Sequence, residues 1–417
     1  MNIPHALALT VLAIPFSAID ALAQIVDRTG EFLFLPSAQV GGSIHGLAVA
    51  GSGLVYTADS SNTLTETDLR TGAQRTVLSG LPLSAPGQLL FGDGRSLVGT
   101  DLVLADWNTE ISSACCDGRV LRIDPVSGAF TALASGNPAF SSVGDPGGVA
   151  LGPGGAFGDY LYVMDFEGAS PNPPVLYRVD AAGTATTFLI DPAQWTISTA
   201  PHHLAFGSAA FGGDLFVSDR TSSKIWRVDP AATLTPFVNG YSAFALAAAS
   251  GPLWGDQLYF LAQDGSNIDL LRVDPAGMVE RVVDDIAPAS AAGGAMAFRP
   301  DGKALQVGVG GRIYTVLPAT LQLQIAPNPV TAGQTLVVDT SGGVPGKPAL
   351  LVGDRLLALR FSPPAIVFSG GFDASGDWTV AFPMPPGLAG IDVRVQTLSL
   401  DGADHYVASQ KVVVQMQ

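Results

Sequence analysis

Short segments in which apolar and polar residues alternate recur along most of the chain, and Gly, Pro, Asp and Ser separate them. Alternation with a period of two is typical of strands that bury one face, and the intervening residues are those that form tight turns. The pattern therefore predicts an all-β protein made of many short strands.

One phrase recurs through the first three quarters of the chain: a basic residue, an apolar residue and Asp, followed by a turn that ends near Gly. Clear copies are Arg122-Ile123-Asp124, Arg178-Val179-Asp180, Arg227-Val228-Asp229 and Arg272-Val273-Asp274, and a degenerate copy is Asp68-Leu69-Arg70. The Asp residues of successive copies lie 45–56 residues apart. Self-similarity at such a period indicates a repeat architecture.

Two further phrases precede each copy. The nearer one is an apolar strand that ends in Asp, at residues 54–59, 102–106, 161–165, 215–219 and 258–264. The other is a short inner strand, at residues 46–49, 88–91, 148–151, 203–206, 244–246 and 295–298. With an outer strand added, each repeat holds four antiparallel strands, which predicts a blade of a β-propeller. Six inner strands predict six blades.

The sixth repeat lacks an outer strand, because its last strand runs out into Pro318. The N-terminal segment Asp27-Arg28-Thr29-Gly30 repeats the pattern of Asp68-Leu69-Arg70-Thr71-Gly72, and residues 31–35 then have the pattern of a strand. We expect this strand to complete the last blade and close the ring, which removes free sheet edges. The predicted propeller spans residues 24–318.

After Pro318 the repeat ends, and residues 319–417 contain about seven alternating segments between Gly and Pro clusters. These segments are residues 321–325, 336–339, 350–352, 366–368, 379–382, 393–400 and 407–414. This density of short strands is typical of an immunoglobulin-like or fibronectin type III-like β-sandwich, here without cysteines to pin it.

An apolar run at residues 6–19, followed by Ala21-Leu22-Ala23, has the length and the small residues of a signal peptide and its cleavage site. The residues before the run include no Lys or Arg, which departs from the usual pattern. We expect residues 1–23 to be a signal peptide and the mature chain to be periplasmic or secreted. No later segment has the ~18 uninterrupted apolar residues of a membrane span.

Composition narrows the classes of partner. The 417 residues include 31 Asp but only 5 Glu, together with 49 Gly and 30 Pro, and the formal net charge is −16. No basic patch or Lys/Arg run occurs, so binding to a nucleic-acid backbone has no electrostatic basis. A small molecule, a glycan or a protein remain as classes of partner.

The segment Ser218-Asp219-Arg220, which continues to Lys224-Ile225, places a hairpin after a strand-end Asp and a basic–apolar pair after the hairpin. This phrase resembles the NHL repeat. Residues 24–318 resemble the six-bladed superfamily of NHL-repeat, gluconolactonase-like and streptogramin lyase-like proteins. The segments 157–162 and 211–214 look like those of exported bacterial propellers that also carry a C-terminal sandwich. The resemblance implies the fold, but it does not choose an activity, because this fold hosts many functions.

The active sites of that superfamily match this sequence only in part. Gluconolactonase-like members place an acidic ligand at the start of the first inner strand, where none of the five Glu lies. Amidating-lyase relatives hold zinc with His from three blades, and only two blades offer His here. A lactonase-like or streptogramin lyase-like activity therefore stays an alternative rather than the leading hypothesis.

Asp residues mark the face of the propeller where the inner strands start and the second strands end, around the mouth of the central channel. The candidate ligand-binding residues expected there are Asp106, Trp107, Asp145, Asp165, Asp219, Arg220 and Asp264, and Asp59 belongs to the same strand-end set. One interpretation is a ligand site. The other is that each strand-end carboxylate accepts backbone N–H bonds in its own hairpin turn, which the repetition over five blades favours.

Histidines break the repeat. His45 and His202 occupy equivalent positions in blades one and four, which face each other in a six-membered ring, and His203 follows. Other blades have Gly87, Gly147, Ser242 or Gly294 there, which predicts space around the two imidazoles. Opposed histidines can bind a divalent metal ion, with Asp145 as a third ligand, or act as acid and base. The alternative is hydrogen bonding to neighbouring strand ends.

Cys115 and Cys116 are the only cysteines, and they lie in the predicted hairpin after Asp106-Trp107. Adjacent cysteines exclude zinc-knuckle and haem motifs, which need spaced ligands. In an oxidising compartment they are predicted to form a vicinal disulfide, and two free thiols or an intermolecular bridge are the alternatives.

Taken together, these patterns favour an exported propeller that binds a ligand at its channel mouth or acts as a scaffold. A metal-assisted hydrolase or lyase that uses the opposed histidines is the alternative. No other cofactor is indicated, because P-loop, dinucleotide and G-x-S-x-G motifs are absent from the sequence.

Overall fold

The structure is a computed structural model, and its described part consists almost entirely of antiparallel strands. It describes residues 26–27, 32–80, 86–94, 98–106, 118–133, 146–165, 174–191, 202–249, 253–288, 293–326, 328–329, 331, 334–343, 345–356, 359–383, 392–400, 406–409 and 412–415. The predicted signal peptide lies outside these residues. The described part has no helix long and apolar enough to cross a membrane.

Four consecutive repeats each form one four-stranded antiparallel sheet, numbered here from the innermost strand outward. Sheet 1 contains β3 (Ile44–Val49), β4 (Val55–Asp59), β5 (Thr63–Thr67) and β6 (Gln74–Ser79). Sheet 2 contains β7 (Pro86–Phe91), β8 (Leu102–Asp106), β9 (Arg119–Ile123) and β10 (Phe130–Ala132). Sheet 3 contains β11 (Pro146–Leu151), β12 (Leu161–Asp165), β13 (Val175–Val179) and β14 (Ala185–Ile190). Sheet 4 contains β15 (Leu204–Phe206), β16 (Leu215–Asp219), β17 (Lys224–Val228) and β18 (Leu234–Asn239), with a short 3-10 helix at Ala209–Phe211.

The N-terminal residues complete the last two sheets of the ring. Sheet 5 contains β19 (Ser242–Ala248), β20 (Leu258–Asp264), β21 (Asn267–Val273) and β22 (Val279–Pro288), and β1 (Val26–Asp27) pairs with the outer edge of β22. Sheet 6 contains β23 (Gly294–Phe298), β24 (Leu305–Val309) and β25 (Arg312–Ala326), and β2 (Phe32–Gln39) pairs with β25 as its outer strand. The prediction that the N-terminal strand closes the last blade is confirmed, and the added pairing of β1 with β22 was not predicted.

The six innermost strands contact one another in sequence order, and β23 contacts β3, so the sheets form a closed ring. Buried side chains fill the space between neighbouring sheets; for example, Tyr162 of sheet 3 and Trp226 of sheet 4 belong to one cluster. Each fully buried side chain of this kind contributes about 1.5–3 kcal/mol relative to exposure. Together with the repeated sheets, the closed ring confirms the all-β propeller class.

Turns into the outer strands are closed by aspartate, as the repeated phrase predicts. The Oδ1 atom of Asp124 accepts hydrogen bonds from the N–H of Val126 at 2.8 Å and of Ser127 at 3.2 Å. The Oδ1 atoms of Asp68, Asp180, Asp229 and Asp274 accept equivalent bonds from backbone N–H groups two to four residues further on. These carboxylates act as turn residues.

Strand β25 does not end at Pro318, contrary to the sequence expectation, but runs on into the C-terminal region. Its ladder with β24 ends at Val316, and Pro318 forms the last pair with β2, opposite Phe32. The missing N–H of proline therefore interrupts neither ladder. One continuous strand joins the ring to the residues that follow.

The C-terminal strands form two sheets that share β25. They are β26 (Thr335–Ser341), β27 (Pro348–Leu356), β28 (Leu359–Gly371), β29 (Trp378–Pro383), β30 (Asp392–Leu400), β31 (Tyr406–Ser409) and β32 (Val412–Gln415). One sheet has the order β25-β26-β29, and the other has the order β25-β31-β30-β27-β28 with β32 also on β30. The predicted segment 407–414 is divided into two strands.

Candidate functional site

The starts of the inner strands and the ends of the second strands meet at one face of the ring. In sheets 1 to 3 the first residue of the inner strand pairs with the strand-end aspartate: Ile44 with Asp59, Pro86 with Asp106, and Pro146 with Asp165. This face, called the channel mouth below, holds most of the polar residues that the sequence singled out.

Four of the five predicted strand-end aspartates are fully buried at this face: Asp59, Asp106, Asp165 and Asp219. Asp59 accepts the N–H of Ser61 at 2.8 Å and of Gly42 at 3.3 Å. Asp106 lies 3.7 Å from the Nε atom of Arg119 on the neighbouring strand. Since a buried carboxylate needs such partners to offset its lost hydration, these contacts favour the turn-capping interpretation at Asp59 and an ion pair at Asp106.

Asp219 accepts hydrogen bonds on both of its carboxylate oxygens. Its Oδ2 atom accepts the indole N–H of Trp226 at 3.0 Å and a short bond from the Ser222 hydroxyl, and its Oδ1 atom accepts the Ser222 N–H at 3.0 Å. The carboxylate thus closes its own hairpin turn and anchors a buried tryptophan. Asp219 therefore has a structural role at the channel mouth.

Asp264 ends its second strand as predicted, but it is not the counterpart of the four buried aspartates. Strand β20 pairs Leu261 with Ala245 and Ala262 with Ala243, so Ala262 stands where the other sheets have their aspartate. Asp264 lies two residues further on, exposed, and forms an ion pair with Arg281 at 2.5 Å. The second strand of sheet 5 is longer because its hairpin turn is shorter, and a sequence pattern that counts only apolar residues does not detect that shift.

His45 and His202 each bond through Nδ1 to a backbone carbonyl oxygen. The Nδ1 atom of His45 lies 3.2 Å from the Pro86 carbonyl oxygen of sheet 2, whereas the Nδ1 atom of His202 lies 2.7 Å from the Ser218 carbonyl of its own sheet. A carbonyl oxygen only accepts, so each Nδ1 carries the proton and each Nε2 is the basic nitrogen. This is the tautomer that metal-binding histidines commonly have.

His203 is the residue that crosses the ring axis. Its Nε2 atom donates to the His45 carbonyl oxygen at 3.2 Å, and its backbone N–H bonds to the Ser218 hydroxyl at 2.8 Å. Its Nδ1 atom is buried, and within the described residues it has no hydrogen-bond partner. The imidazole of His203 therefore links sheet 4 to sheet 1 across the ring axis.

Burial controls the protonation of both sheet 4 histidines. It lowers the pKa of His202 to about 4, although the nearby Asp219 carboxylate and the Ser218 carbonyl act in the opposite direction. Burial also lowers the pKa of His203 to about 4, with the bond to His45 opposing the shift and the neighbouring imidazoles adding to it. Both side chains are neutral at pH 7.

Glycines at the inner-strand starts let neighbouring strands approach closely, and Gly293 leaves room for the ring of His45. A Cβ atom at Gly46 would lie 2.5 Å from the Gly87 carbonyl oxygen, and one at Gly87 would lie 2.5 Å from that of Gly147. Glycine is needed there because neighbouring inner strands touch. In sheet 5 the position equivalent to His45 is the bulge residue Phe244 rather than the predicted Ser242.

Sequence reasoning missed Gln88. Its side-chain Nε2 donates to the Leu204 carbonyl at 2.8 Å, and its Oε1 accepts the N–H groups of Leu204 at 2.8 Å and Val149 at 3.0 Å. One amide thereby joins the inner strands of sheets 2, 3 and 4. The signal was present, because Gln88 stands before Leu89 as Gly46 stands before Leu47.

Of the remaining candidate site residues, only Arg220 lies within the described part of the chain. Arg220 lies in the hairpin turn of sheet 4, where its Nη2 atom donates to the Gln263 Oε1 atom at 2.7 Å. Trp107, Cys115, Cys116 and Asp145 lie outside the described residues, so the disulfide and the third metal ligand stay predictions. Across the described ranges, no three His, Cys, Asp or Glu side chains are grouped so that they could hold a metal ion.

No protein-family model and no curated protein matches this chain. Among solved structures, it is similar to a protein of unknown function from Bacteroides thetaiotaomicron, with 14% identity and a TM-score of 0.50 over 70% of this chain and 73% of that one. A gluconolactonase from Xanthomonas campestris matches with 12% identity and a TM-score of 0.49 over 68% and 89%. A streptogramin B lyase matches with 11% identity and a TM-score of 0.44 over 69% and 98%. At such identities the similarity shows the fold alone, and the chain is an all-β propeller.

Proposed function

We propose that this protein is an exported, six-bladed propeller that binds a ligand at its channel mouth or serves as a scaffold, without catalysing a reaction. Residues 319–417 would form a C-terminal sandwich that acts as a spacer or adhesion domain. A small molecule, a glycan or a protein are the classes of ligand.

The observation that carries this proposal is the mutual bonding of the polar groups around the ring axis. His203 bonds to the His45 carbonyl, Gln88 makes three hydrogen bonds to inner strands, and Asp219 bonds to its own hairpin. These bonds direct the Nε2 atom of His203, the Gln88 amide and the Asp219 carboxylate at other protein groups, whereas catalysis also needs polar atoms that face a substrate. This bonding therefore supports a rigid ring whose outer surface at the channel mouth meets the ligand.

A metal-assisted hydrolase or lyase is the second candidate, and the tautomers of His45 and His202 favour it. Both imidazoles donate from Nδ1 to a carbonyl, which leaves Nε2 as the nitrogen that a divalent metal ion would use. Two imidazoles are fewer than the three protein ligands of a typical catalytic zinc site. The described residues therefore fit a catalytic metal only in part.

Metal content distinguishes the two candidates. We expect the purified, chelator-free protein to contain less than about a tenth of an equivalent of zinc, manganese or calcium by elemental mass spectrometry. The variant His45→Ala/His202→Ala should have the same metal content. A stoichiometric ion that disappears in this variant, together with lactone hydrolysis or lyase activity that disappears with it, would overturn the binding proposal.

Export is tested separately. The full chain, expressed with a C-terminal tag in a bacterium, should be recovered from the periplasm or medium with Gln24 as its first residue by N-terminal sequencing. Recovery of the unprocessed chain from the cytoplasm alone would contradict this part of the proposal.

A further inference from the structure

Two cationic side chains project from the sheet 4 hairpin at the channel mouth. Arg220 follows the strand-end Asp219. Lys224 begins the next strand and pairs with Asp219 across the hairpin. The Arg220 guanidinium carbon lies 5.7 Å from the centre of the Phe244 ring, which occupies the inner-strand position equivalent to His45. The guanidinium is therefore located at the rim of the channel mouth.

Neutral groups hold both cations in place. Arg220 donates to the Gln263 Oε1 atom at 2.7 Å and lies over Phe244, while the Lys224 Nζ atom lies 4.6 Å from the centre of the Trp226 ring. Neither forms an ion pair with a carboxylate of the described residues. The carboxylate of the hairpin, Asp219, is bonded instead to Trp226 and Ser222.

Most other arginines in the described part of the ring have an acidic partner. Arg178 also has neutral partners, Thr186 and the Tyr160 ring, but it lies at the end of β13 that is away from the channel mouth. Carboxylates lie within ion-pair distance of Arg75, Arg119, Arg122, Arg227, Arg272, Arg281 and Arg299. Acidic residues outnumber basic ones by 36 to 20, so most cations have a carboxylate available as a partner. A cation at the rim of the channel mouth that has only neutral partners is therefore unusual in this chain. A guanidinium has five N–H donors, of which the Gln263 bond uses one.

We propose that Arg220, assisted by Lys224, binds an oxyanion group of the ligand, a carboxylate or a phosphate, at the channel mouth. The planar guanidinium pairs with such groups through parallel N–H bonds, and an amide oxygen and an aromatic ring position it without neutralising its charge. This inference rests on the proposed channel-mouth site and names the chemical class that the site recognises.

The test is isothermal titration calorimetry at low ionic strength with inorganic phosphate, with succinate, and with succinamide as the neutral analogue of succinate. Phosphate or succinate should bind and succinamide should not, and the preferred anion identifies the class of oxyanion. Arg220→Gln should weaken the affinity by about tenfold or more, since a hydrogen bond to a charged group has at least that value. The control Arg70→Gln, which removes a charge from an exposed turn of sheet 1, should change it by less than about twofold.

A second variant keeps the arginine and changes only its partner. Gln263→Glu is isosteric and gives the guanidinium a carboxylate, which should reduce anion affinity as strongly as Arg220→Gln does. The inference would be overturned if neither phosphate nor succinate bound. It would also be overturned if Arg70→Gln weakened binding as much as Arg220→Gln, or if Gln263→Glu kept full affinity. Metal content measured on the same samples keeps the two proposals apart, because a histidine-dependent ion overturns the proposed function and leaves the role of Arg220 to the titration.

Discussion

Sheets 1 to 4 differ from sheets 5 and 6 in the turn that joins the second strand to the third. Each of the first four ends its second strand with a buried aspartate, whereas Ala262 and Val309 stand at that position in the other two. Where the turn is fully described in sheets 1 and 4, three or four residues join the second and third strands, and the aspartate accepts their N–H groups. Only two residues join these strands in sheets 5 and 6.

The short turns explain why no aspartate is needed. In sheet 6 both turn residues, Gly310 and Gly311, have positive φ angles of 56° and 77°, which is the geometry of the tightest hairpins. With such a turn, the hydrogen bonds between the two strands continue up to the turn, so that no N–H group there needs a capping carboxylate. The strand-end aspartate therefore caps the longer turns, and its absence marks a tight hairpin rather than a degenerate blade.

Adding the aspartate to sheet 5 is the most disruptive test of this comparison. Ala262→Asp places a carboxylate at a position that is 1% exposed, beside a turn too short to supply its N–H donors. We expect the free energy of unfolding in urea to fall by about 3–5 kcal/mol, the usual cost of an uncompensated buried charge. Ala262→Val, which adds volume without charge, should cost clearly less. Equal losses would mean that crowding rather than charge is responsible.

Removing the aspartate from sheet 4 should have the next largest effect. Asp219→Ala leaves the indole N–H of Trp226 and the Ser222 N–H without their acceptor. The expected loss is about 2–3 kcal/mol in the same urea experiment, and Asp219→Asn, which keeps an acceptor oxygen, should lose less. A loss below about 0.5 kcal/mol would contradict the capping role.

The pH dependence of the whole protein's stability should come in part from sheet 4, because its two buried histidines have no counterpart in sheet 5. The pKa values of His202 and His203 are lowered to about 4 in the folded state, so the unfolded chain, with pKa values near 6.5, binds more protons between these limits. Stability therefore falls as the pH decreases from about 6.5 towards 4, and the step from pH 7 to 6 should cost about 1 kcal/mol. The variant His202→Asn/His203→Gln should flatten the urea midpoints over this step, and an unchanged slope would show that other groups titrate there.

Removing the exposed aspartate of sheet 5 should have the smallest effect. Asp264 is 60% exposed and pairs with Arg281, which also lies 3.3 Å from Asp269 and 3.4 Å from Asp284. Asp264→Ala should therefore cost less than about 1 kcal/mol, as is usual for a surface ion pair. A loss as large as that of Asp219→Ala would mean that Asp264 is the functional counterpart of the buried set after all.

Repetition made much of the fold predictable. The recurring phrases correctly indicated an all-β propeller, the inner and second strands and the N-terminal strand of the last sheet, because each phrase reports one hairpin and its turn. The turn aspartates were equally readable, since Asp124 or Asp180 bonds to N–H groups only two to four residues away. Such contacts depend on neighbours in the chain.

The site was predictable only as a set of residue positions. His45, His202, His203 and Asp219 do lie at the channel mouth. Asp219 bonds within its own hairpin, whereas His203 bonds to the His45 carbonyl, which is 158 positions away. Gln88 was overlooked for the same reason, as its partners Val149 and Leu204 lie 61 and 116 positions away. No local pattern contains these distances.

By itself, then, the sequence determined the number of strand phrases, their order and the chemistry of their turns, because these depend on interactions within one hairpin. Tertiary structure decided how closely the inner strands approach, which histidine crosses the ring axis, and which cation is left with neutral partners at the rim. Those outcomes depend on how six sheets pack around a common axis, where a one-residue bulge or a shortened turn changes which side chains meet.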